Sequence, residues 1–168
     1  MKKNLMLVII DKDYCNFLRS FDNRVPFNFN KKELRPFIGV LFEVNKCLYF
    51  APLSSPKAKH LKLKNNIDFL KIDEGKLGAI NFNNMIPVTL KNIEKLDLNI
   101  NESLNKDEFS YKKLLIEQYF WLNRNFKKLS EKSQLLYNKY NDNTLLKNVR
   151  DRCCNFKLLE EKCLEYNN

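Results

Sequence analysis

The feature of this sequence that most constrains the fold is a pair of apolar segments separated by only two residues. Residues 37–44 (FIGVLFEV) and 47–53 (CLYFAPL) are rich in β-branched and aromatic side chains, and Asn45 and Lys46 stand between them. A two-residue connection between such segments predicts a β-hairpin with a tight turn. The chain is therefore expected to contain an antiparallel sheet.

Other strand patterns also lie in the first part of the chain. Residues 5–10 (LMLVII) predict a buried first strand. Residues 77–82 and 85–88 predict a second hairpin joined by Asn83 and Asn84, because asparagine tolerates the positive φ that such turns need.

Helical patterns follow the first strand and dominate the second half. Asp11 is expected to cap a short helix, and residues 109–140 predict a long helical region with Ser110 as its cap and a break near Ser130. Residues 155–166 open with a capping asparagine and predict an amphipathic helix docked on the sheet. Strands followed by helices favour an α+β fold over alternating β-α-β units.

The length and the apolar runs limit the class of protein. A chain of 168 residues is expected to form one domain, residues 1–168. The longest apolar run near the start, residues 5–10, is too short to cross a bilayer, and Asp11 and Asp13 follow it without a cleavage site. We therefore expect a cytoplasmic protein that does not contact membranes.

The five cysteines are an odd number, with no CxxC pair and no histidines at zinc-finger spacing. Reduced, buried thiols are therefore expected, and neither a disulfide framework nor a metal site is predicted. The three glycines exclude a GxGxxG loop and a Walker A loop, which makes the common nucleotide-cofactor enzymes improbable. A formal net charge of +10 favours a polyanionic partner such as nucleic acid.

The stretch FAPLSSPK, residues 50–57, brings two serines and a lysine to the end of a predicted strand. The scattered acidic residues do not favour a metal-dependent nuclease, and His60 is the only histidine, so a histidine pair cannot act as acid and base. The remaining route is attack by the 2′-OH of RNA while fixed cations and hydroxyls hold the phosphate. Ser55 and Lys57, separated by Pro56, match that requirement, although a simple strand-ending turn is the alternative.

Four segments of the sequence resemble, in order and spacing, the ToxN/AbiQ family of type III toxin-antitoxin endoribonucleases. They are FIGVLFEVNKCLYFAPLSSPKAKH, LGAINFNNMIPV, YKKLLIEQ and CNFKLLEEKCLEY, and the opening FDNRVPF also fits. The resemblance implies a strongly twisted antiparallel β-sheet with surrounding helices, similar to Kid/MazF-like toxins. It also implies RNA cleavage without metal or cofactor, which leaves a 2′,3′-cyclic phosphate and a 5′-hydroxyl.

The same resemblance implies a partner and a biological role. The antitoxin of the family is a repeated RNA pseudoknot that the toxin cuts from its precursor and that then inhibits the toxin in a closed protein–RNA hetero-oligomer. Such systems act in abortive infection and phage defence.

Carried onto this sequence, the resemblance places the active-site groups at Ser54, Ser55 and Lys57. Residues assigned to RNA contact through the resemblance are Phe29, Lys31, Lys32, His60, Tyr111 and Gln118. For His60 the alternative is an ordinary surface residue, and for Tyr111 and Gln118 it is core packing with a satisfied amide. Lys59, Lys62 and Lys64 stand close to Lys57, and their charge predicts the start of a phosphate-binding groove, with a solvated basic loop as the alternative.

Two other functions remain open from the sequence. A non-catalytic RNA-binding module would use the same basic surface, and a protein-targeting toxin of the gyrase-inhibitor kind would share the expected fold. Fold cannot separate these hypotheses, because function depends on the site.

Overall fold

The computed structural model describes residues 5–27, 29–30 and 33–168, and it is an α+β fold built on an antiparallel sheet. The strands are β1 Met6–Ile10, β2 Phe29–Asn30, β3 Glu33–Leu34, β4 Phe37–Gly39, β5 Glu43–Val44, β6 Cys47–Ser54, β7 Phe69–Lys71, β8 Ala79–Asn81, β9 Ile86–Val88 and β10 Ile93–Lys95. The helices are α1 Lys12–Phe21, α2 Ala58–Lys62, α3 Lys106–Arg124, α4 Phe126–Asn141, α5 Lys147–Arg152 and α6 Phe156–Asn167. The predicted fold class is confirmed.

Eight strands form the main sheet, in the order β10-β1-β4-β6-β8-β7, with β5 and β9 also pairing with β6. A separate two-stranded ribbon joins β2 and β3. Strand β6 is the longest, and from Cys47 to Leu53 only Leu48 is not fully buried. A strand paired on both sides and buried on both faces is expected to be rigid, so the backbone of its last residue, Ser54, is held in place.

The predicted first hairpin is confirmed. Strands β5 and β6 pair at Val44 and Cys47, and the two turn residues, Asn45 and Lys46, have φ angles of 51° and 66°. Two consecutive positive φ angles are the requirement of a type I′ turn. Segment 37–44 is interrupted after β4, because residues 40–42 leave the strand conformation before β5 begins.

The second predicted hairpin is wrong. Strands β8 and β9 do not pair with each other, because each pairs with a different part of β6 and the 3-10 turn Phe82–Asn84 connects them. The long central strand offers hydrogen bonds to both segments, and the fully buried Phe82 occupies the core between them. This arrangement sets Ser54 opposite Ala79 of β8.

The long helical region is confirmed, but its predicted boundaries are not. Helix α3 begins after Asn105 instead of Ser110, because Asn105 and Glu108 form a reciprocal capping box. The break falls at Asn125 instead of Ser130. There the Asn125 side chain donates to the carbonyl of Trp121 at 2.8 Å.

The two other predicted caps are confirmed. Asp11 accepts a hydrogen bond from the backbone N–H of Tyr14 at 2.8 Å and opens α1. Asn155 accepts from the backbone N–H of Leu158 at 3.3 Å and opens α6. Helix α6 packs on strands β9 and β6, so it docks on the sheet as expected.

The core contains polar groups that are paired. The hydroxyls of Tyr49 and Tyr137 each donate to Oε1 of the buried Glu160 at 2.6 Å, which ties α4 and α6 to the central strand. All five cysteines are free and buried, as predicted. Among the described residues, no helix is both long enough and apolar enough to cross a membrane.

Candidate active site

The predicted catalytic residues lie where the central strand ends. Strand β6 stops at Ser54, the chain turns through Ser55 and Pro56, and Lys57 has an extended backbone immediately before α2. Ser54 and Ser55 are half-buried, and Lys57 is exposed. Two half-buried serines and one exposed lysine thus lie within four residues at the end of a rigid, buried strand.

Asn81, which the sequence analysis did not single out, contacts this site directly. Its side-chain Nδ2 donates to Oγ of Ser54 at 3.1 Å. In the antiparallel register Ser54 faces Ala79, so Ser54 and Asn81 project from the same face of the sheet as diagonal neighbours. The pairing of β8 with β6 creates this contact, and no local sequence pattern contains it.

The turn between β7 and β8 supports the site from behind. Gly78 has a φ of +101°, and a Cβ added there would lie 1.9 Å from the carbonyl oxygen of Ser54. Only glycine fits this position, because both the backbone angle and the space exclude a side chain. The backbone of the turn therefore lies directly against the backbone of Ser54.

Gln118 belongs to this support and does not face open solvent. It is 2% exposed, and its Nε2 donates to the carbonyl of Leu77 at 2.7 Å. Its Oε1 has no hydrogen-bond partner among the described residues. This burial favours a supporting role for Gln118 over direct contact with RNA. The residue is connected to the site because Leu77, which it binds, precedes Gly78, which lies against Ser54.

Tyr111 lies seven residues earlier on the same helix and is partly buried against the hydrophobic core. Its predicted contact with RNA stays a prediction.

Three other residues predicted to contact RNA precede the first long strand. Lys31 and Lys32 lie outside the described residues, and of Phe29 only the backbone, in β2, is described.

His60 is buried, so the alternative of an ordinary surface residue is wrong. The residue is 2% exposed, and its ring lies 6.1 Å from the ring of Phe69, centroid to centroid. Burial lowers the pKa of His60, and the positive charges of Lys59 and Lys57 lower it further. His60 thus lies on the buried side of α2, where its neutral form is favoured, and its burial favours a supporting role over direct contact with RNA.

The lowered pKa of His60 predicts how stability depends on pH. Because the unfolded chain binds the proton more tightly, the stabilisation is fully present above the unfolded pKa of about 6.5 and is lost as the pH falls through the lower folded pKa. One proton limits the slope to about 1.4 kcal/mol per pH unit. Urea unfolding at several pH values between 5 and 7.5 measures how the free energy of unfolding changes with pH.

The control for this pH effect is His60→Gln, which keeps a polar side chain of similar size but cannot titrate. Its free energy of unfolding is expected to change less than that of the wild type across the same pH window. This window lies above the ordinary pKa of carboxylic acids. Equal slopes in the two proteins would contradict the assignment.

Exposed lysines lie where the basic groove was predicted. Lys59 and Lys62 lie in α2 and Lys64 follows it, and all three are exposed. No carboxylate of the described residues forms an ion pair with them. Their charge is therefore available to an anionic partner close to Lys57.

The part of the chain that is described contains no group of three or more His, Cys, Asp or Glu residues arranged to hold a metal.

The α+β fold of the chain is shared by solved structures from work on type III toxin-antitoxin systems. A family model described as "Toxin ToxN, type III toxin-antitoxin system" matches residues 6–164. The chain belongs to this ToxN family.

Individual relatives agree with the family assignment. The chain is 34% identical to the endoribonuclease ToxN of Bacillus thuringiensis subsp. kurstaki, over 98% of this chain and 86% of that protein. It is 32% identical to the endoribonuclease ToxN of Pectobacterium atrosepticum, over 94% and 91%. A structure solved in work on selective toxin inhibition by a non-coding RNA pseudoknot superposes with a TM-score of 0.81 at 30% identity and covers 99% of each chain.

Proposed function

We propose that this protein is the endoribonuclease toxin of a type III toxin-antitoxin system and acts in phage defence. The observation that carries the proposal is the accessible group of Ser54, Ser55 and Lys57 at the end of a buried strand, in a chain of the ToxN family. Relatives with 34% and 32% identity are named endoribonucleases. A related structure comes from work on a processed non-coding RNA that regulates a bacterial antiviral system.

The proposed reaction is transesterification within the RNA. The 2′-oxygen attacks the adjacent phosphorus, the bond from phosphorus to the 5′-oxygen breaks, and a 2′,3′-cyclic phosphate and a 5′-hydroxyl result. The 2′-OH loses its proton, and the departing 5′-oxygen takes one up. Negative charge grows on the non-bridging phosphate oxygens, so a positioned ammonium and hydroxyl donors lower the barrier without a metal ion.

In this reaction Lys57 neutralises the phosphate, and Ser54 and Ser55 donate hydrogen bonds to its oxygens. The exposed lysines of α2 hold the flanking phosphates of a single-stranded substrate. His60 is not assigned an acid or base role, because its ring is buried.

The proposed partner is an RNA antitoxin that folds as a pseudoknot, is cut from a precursor by this protein, and inhibits it in a closed protein–RNA assembly. The net charge of +10 supports a polyanionic partner. Selective inhibition by a non-coding RNA pseudoknot is described for a structural relative at 30% identity.

The test is RNA cleavage by the purified protein in the presence of excess EDTA. We expect wild-type protein to cut a mixed RNA pool and to leave 2′,3′-cyclic phosphate ends, detected by mass spectrometry of the products. Ser55→Ala is expected to remove most of this activity while the thermal unfolding midpoint stays the same. RNA binding with no cleavage, in EDTA or with added Mg²⁺, would instead support the non-catalytic RNA-binding module.

A further inference from the structure

We propose that Asn81 is a positioning residue that turns the hydroxyl proton of Ser54 toward the scissile phosphate. The proposal rests on the proposed function, because it assigns the orientation of one of the groups that would hold the phosphate. It begins from the 3.1 Å hydrogen bond between Asn81 Nδ2 and Ser54 Oγ.

The chemistry of the two groups fixes the direction of the proton. A serine hydroxyl has one proton to donate and two lone pairs, whereas an amide NH₂ can only donate. The bond from Asn81 therefore occupies a lone pair of Ser54 and leaves its proton free. Among the described residues, no acceptor takes that proton, so an incoming phosphate oxygen is its natural partner.

The backbone of Asn81 is held by its pairing with β7 and by the residue that follows it, so its side chain starts from a fixed point. Asn81 pairs with Phe69 of β7. The next residue, Phe82, is fully buried, and its backbone N–H donates to the carbonyl of Asp68 at 2.9 Å. A donor held in place before the substrate arrives does not have to be ordered during the reaction.

The same geometry separates positioning from folding. The strands are joined by backbone hydrogen bonds, which Asn81→Ala leaves intact, and the Asn81 side chain is only half-buried. Loss of one side-chain hydrogen bond at such a place has a modest effect on stability. The expected effect is therefore on the rate of cleavage and not on the amount of folded protein.

A double-mutant cycle tests whether Asn81 acts through Ser54. Single-turnover cleavage of one defined RNA is measured for wild type, Asn81→Ala, Ser54→Ala and the double variant. We expect Asn81→Ala to lower the saturated rate constant by about tenfold with less than a twofold change in half-saturating protein concentration. In the Ser54→Ala background the same change is expected to have no further effect, because the hydroxyl that Asn81 orients is absent.

A second variant, Asn81→Asp, gives a readout that a purely structural role would not produce. An ionised carboxylate accepts from Ser54 and turns the hydroxyl proton away from the phosphate. We therefore expect Asn81→Asp to cleave more slowly than Asn81→Ala, with no such difference when Ser54 is alanine. Asn138→Ala, an exposed asparagine of α4, is the matched control and is expected to cleave at the wild-type rate.

The outcomes separate the two proposals. If wild-type protein cleaves RNA and the effects of Asn81→Ala and Ser54→Ala multiply, Asn81 does not act through Ser54 and this inference is overturned alone. A fall in the thermal unfolding midpoint that accounts for the lost rate would overturn it as well. If wild-type protein does not cleave RNA, the proposed function fails and the positioning role fails with it.

Discussion

Replacing Lys57 by alanine is expected to lower the rate constant of RNA cleavage by about 100-fold or more. Lys57 is the ammonium group at the end of the rigid strand, and the charge that grows on the phosphate oxygens during the reaction has to be met by a nearby donor. Its side chain is exposed, so the fold does not depend on it. Single-turnover cleavage of a defined RNA, with thermal unfolding of the same samples, measures both quantities.

The matched control for this substitution is Lys127→Ala. Lys127 lies in α4 and has a side chain that is 88% exposed, and among the described residues its one ion pair is a long contact of 3.9 Å with Glu131. Lys127→Ala removes the same charge as Lys57→Ala, so any general loss of attraction to RNA appears equally in both variants. Similar losses of activity in Lys57→Ala and Lys127→Ala would contradict a specific role for Lys57.

Replacing Gly78 by alanine is expected to destabilise the protein by roughly 3 kcal/mol or more. The φ of +101° disfavours any side chain, and the added Cβ would lie 1.9 Å from the carbonyl oxygen of Ser54, so one of the two backbones has to move. Urea unfolding of the variant and the wild type measures the change in the free energy of unfolding. The fraction that remains folded is also expected to cleave RNA more slowly, because the movement displaces Ser54.

Lys76→Ala is the control in the same turn. Lys76 has a right-handed helical backbone and an exposed side chain, so alanine fits without strain. Its effect on the free energy of unfolding is expected to stay within about 0.5 kcal/mol. A loss of less than 1 kcal/mol in Gly78→Ala would show that the turn adapts, and that the close approach to Ser54 is not required.

Several parts of the fold could be predicted because they depend on neighbours in sequence. Asn45 and Lys46 form the predicted turn with a positive φ at both positions, which is the backbone of a type I′ turn between two strands. Asp11 and Asn155 cap their helices through bonds to residues three positions away. Ser110 failed as a cap for the same kind of local reason, because Asn105 and Glu108 form a better capping box five residues earlier.

The candidate site also has features that could be predicted from the sequence and features that could not. Ser55 and Lys57 were proposed because they follow a strand whose apolar pattern is clear, and Ser54 was added through the family resemblance. Their catalytic roles stay predictions. The burial of His60 was not predicted. The lone histidine in a lysine-rich segment has no pattern of its own, and the burial arises when the turn around Gly75 packs against its backbone.

The sequence by itself predicted the segments that form β1, β4, β5, β6, β8 and β9, two helix caps and a row of candidate catalytic groups, because each depends on a pattern within a few residues. Only the tertiary structure decided what stands behind those groups. Asn81 reaches Ser54 across 27 residues, and Gln118 reaches Leu77 across 41. The first bond exists because the long strand β6 pairs with β8, a pairing that depends on the burial of the whole sheet. The second bond exists because α3 lies against the turn that precedes β8.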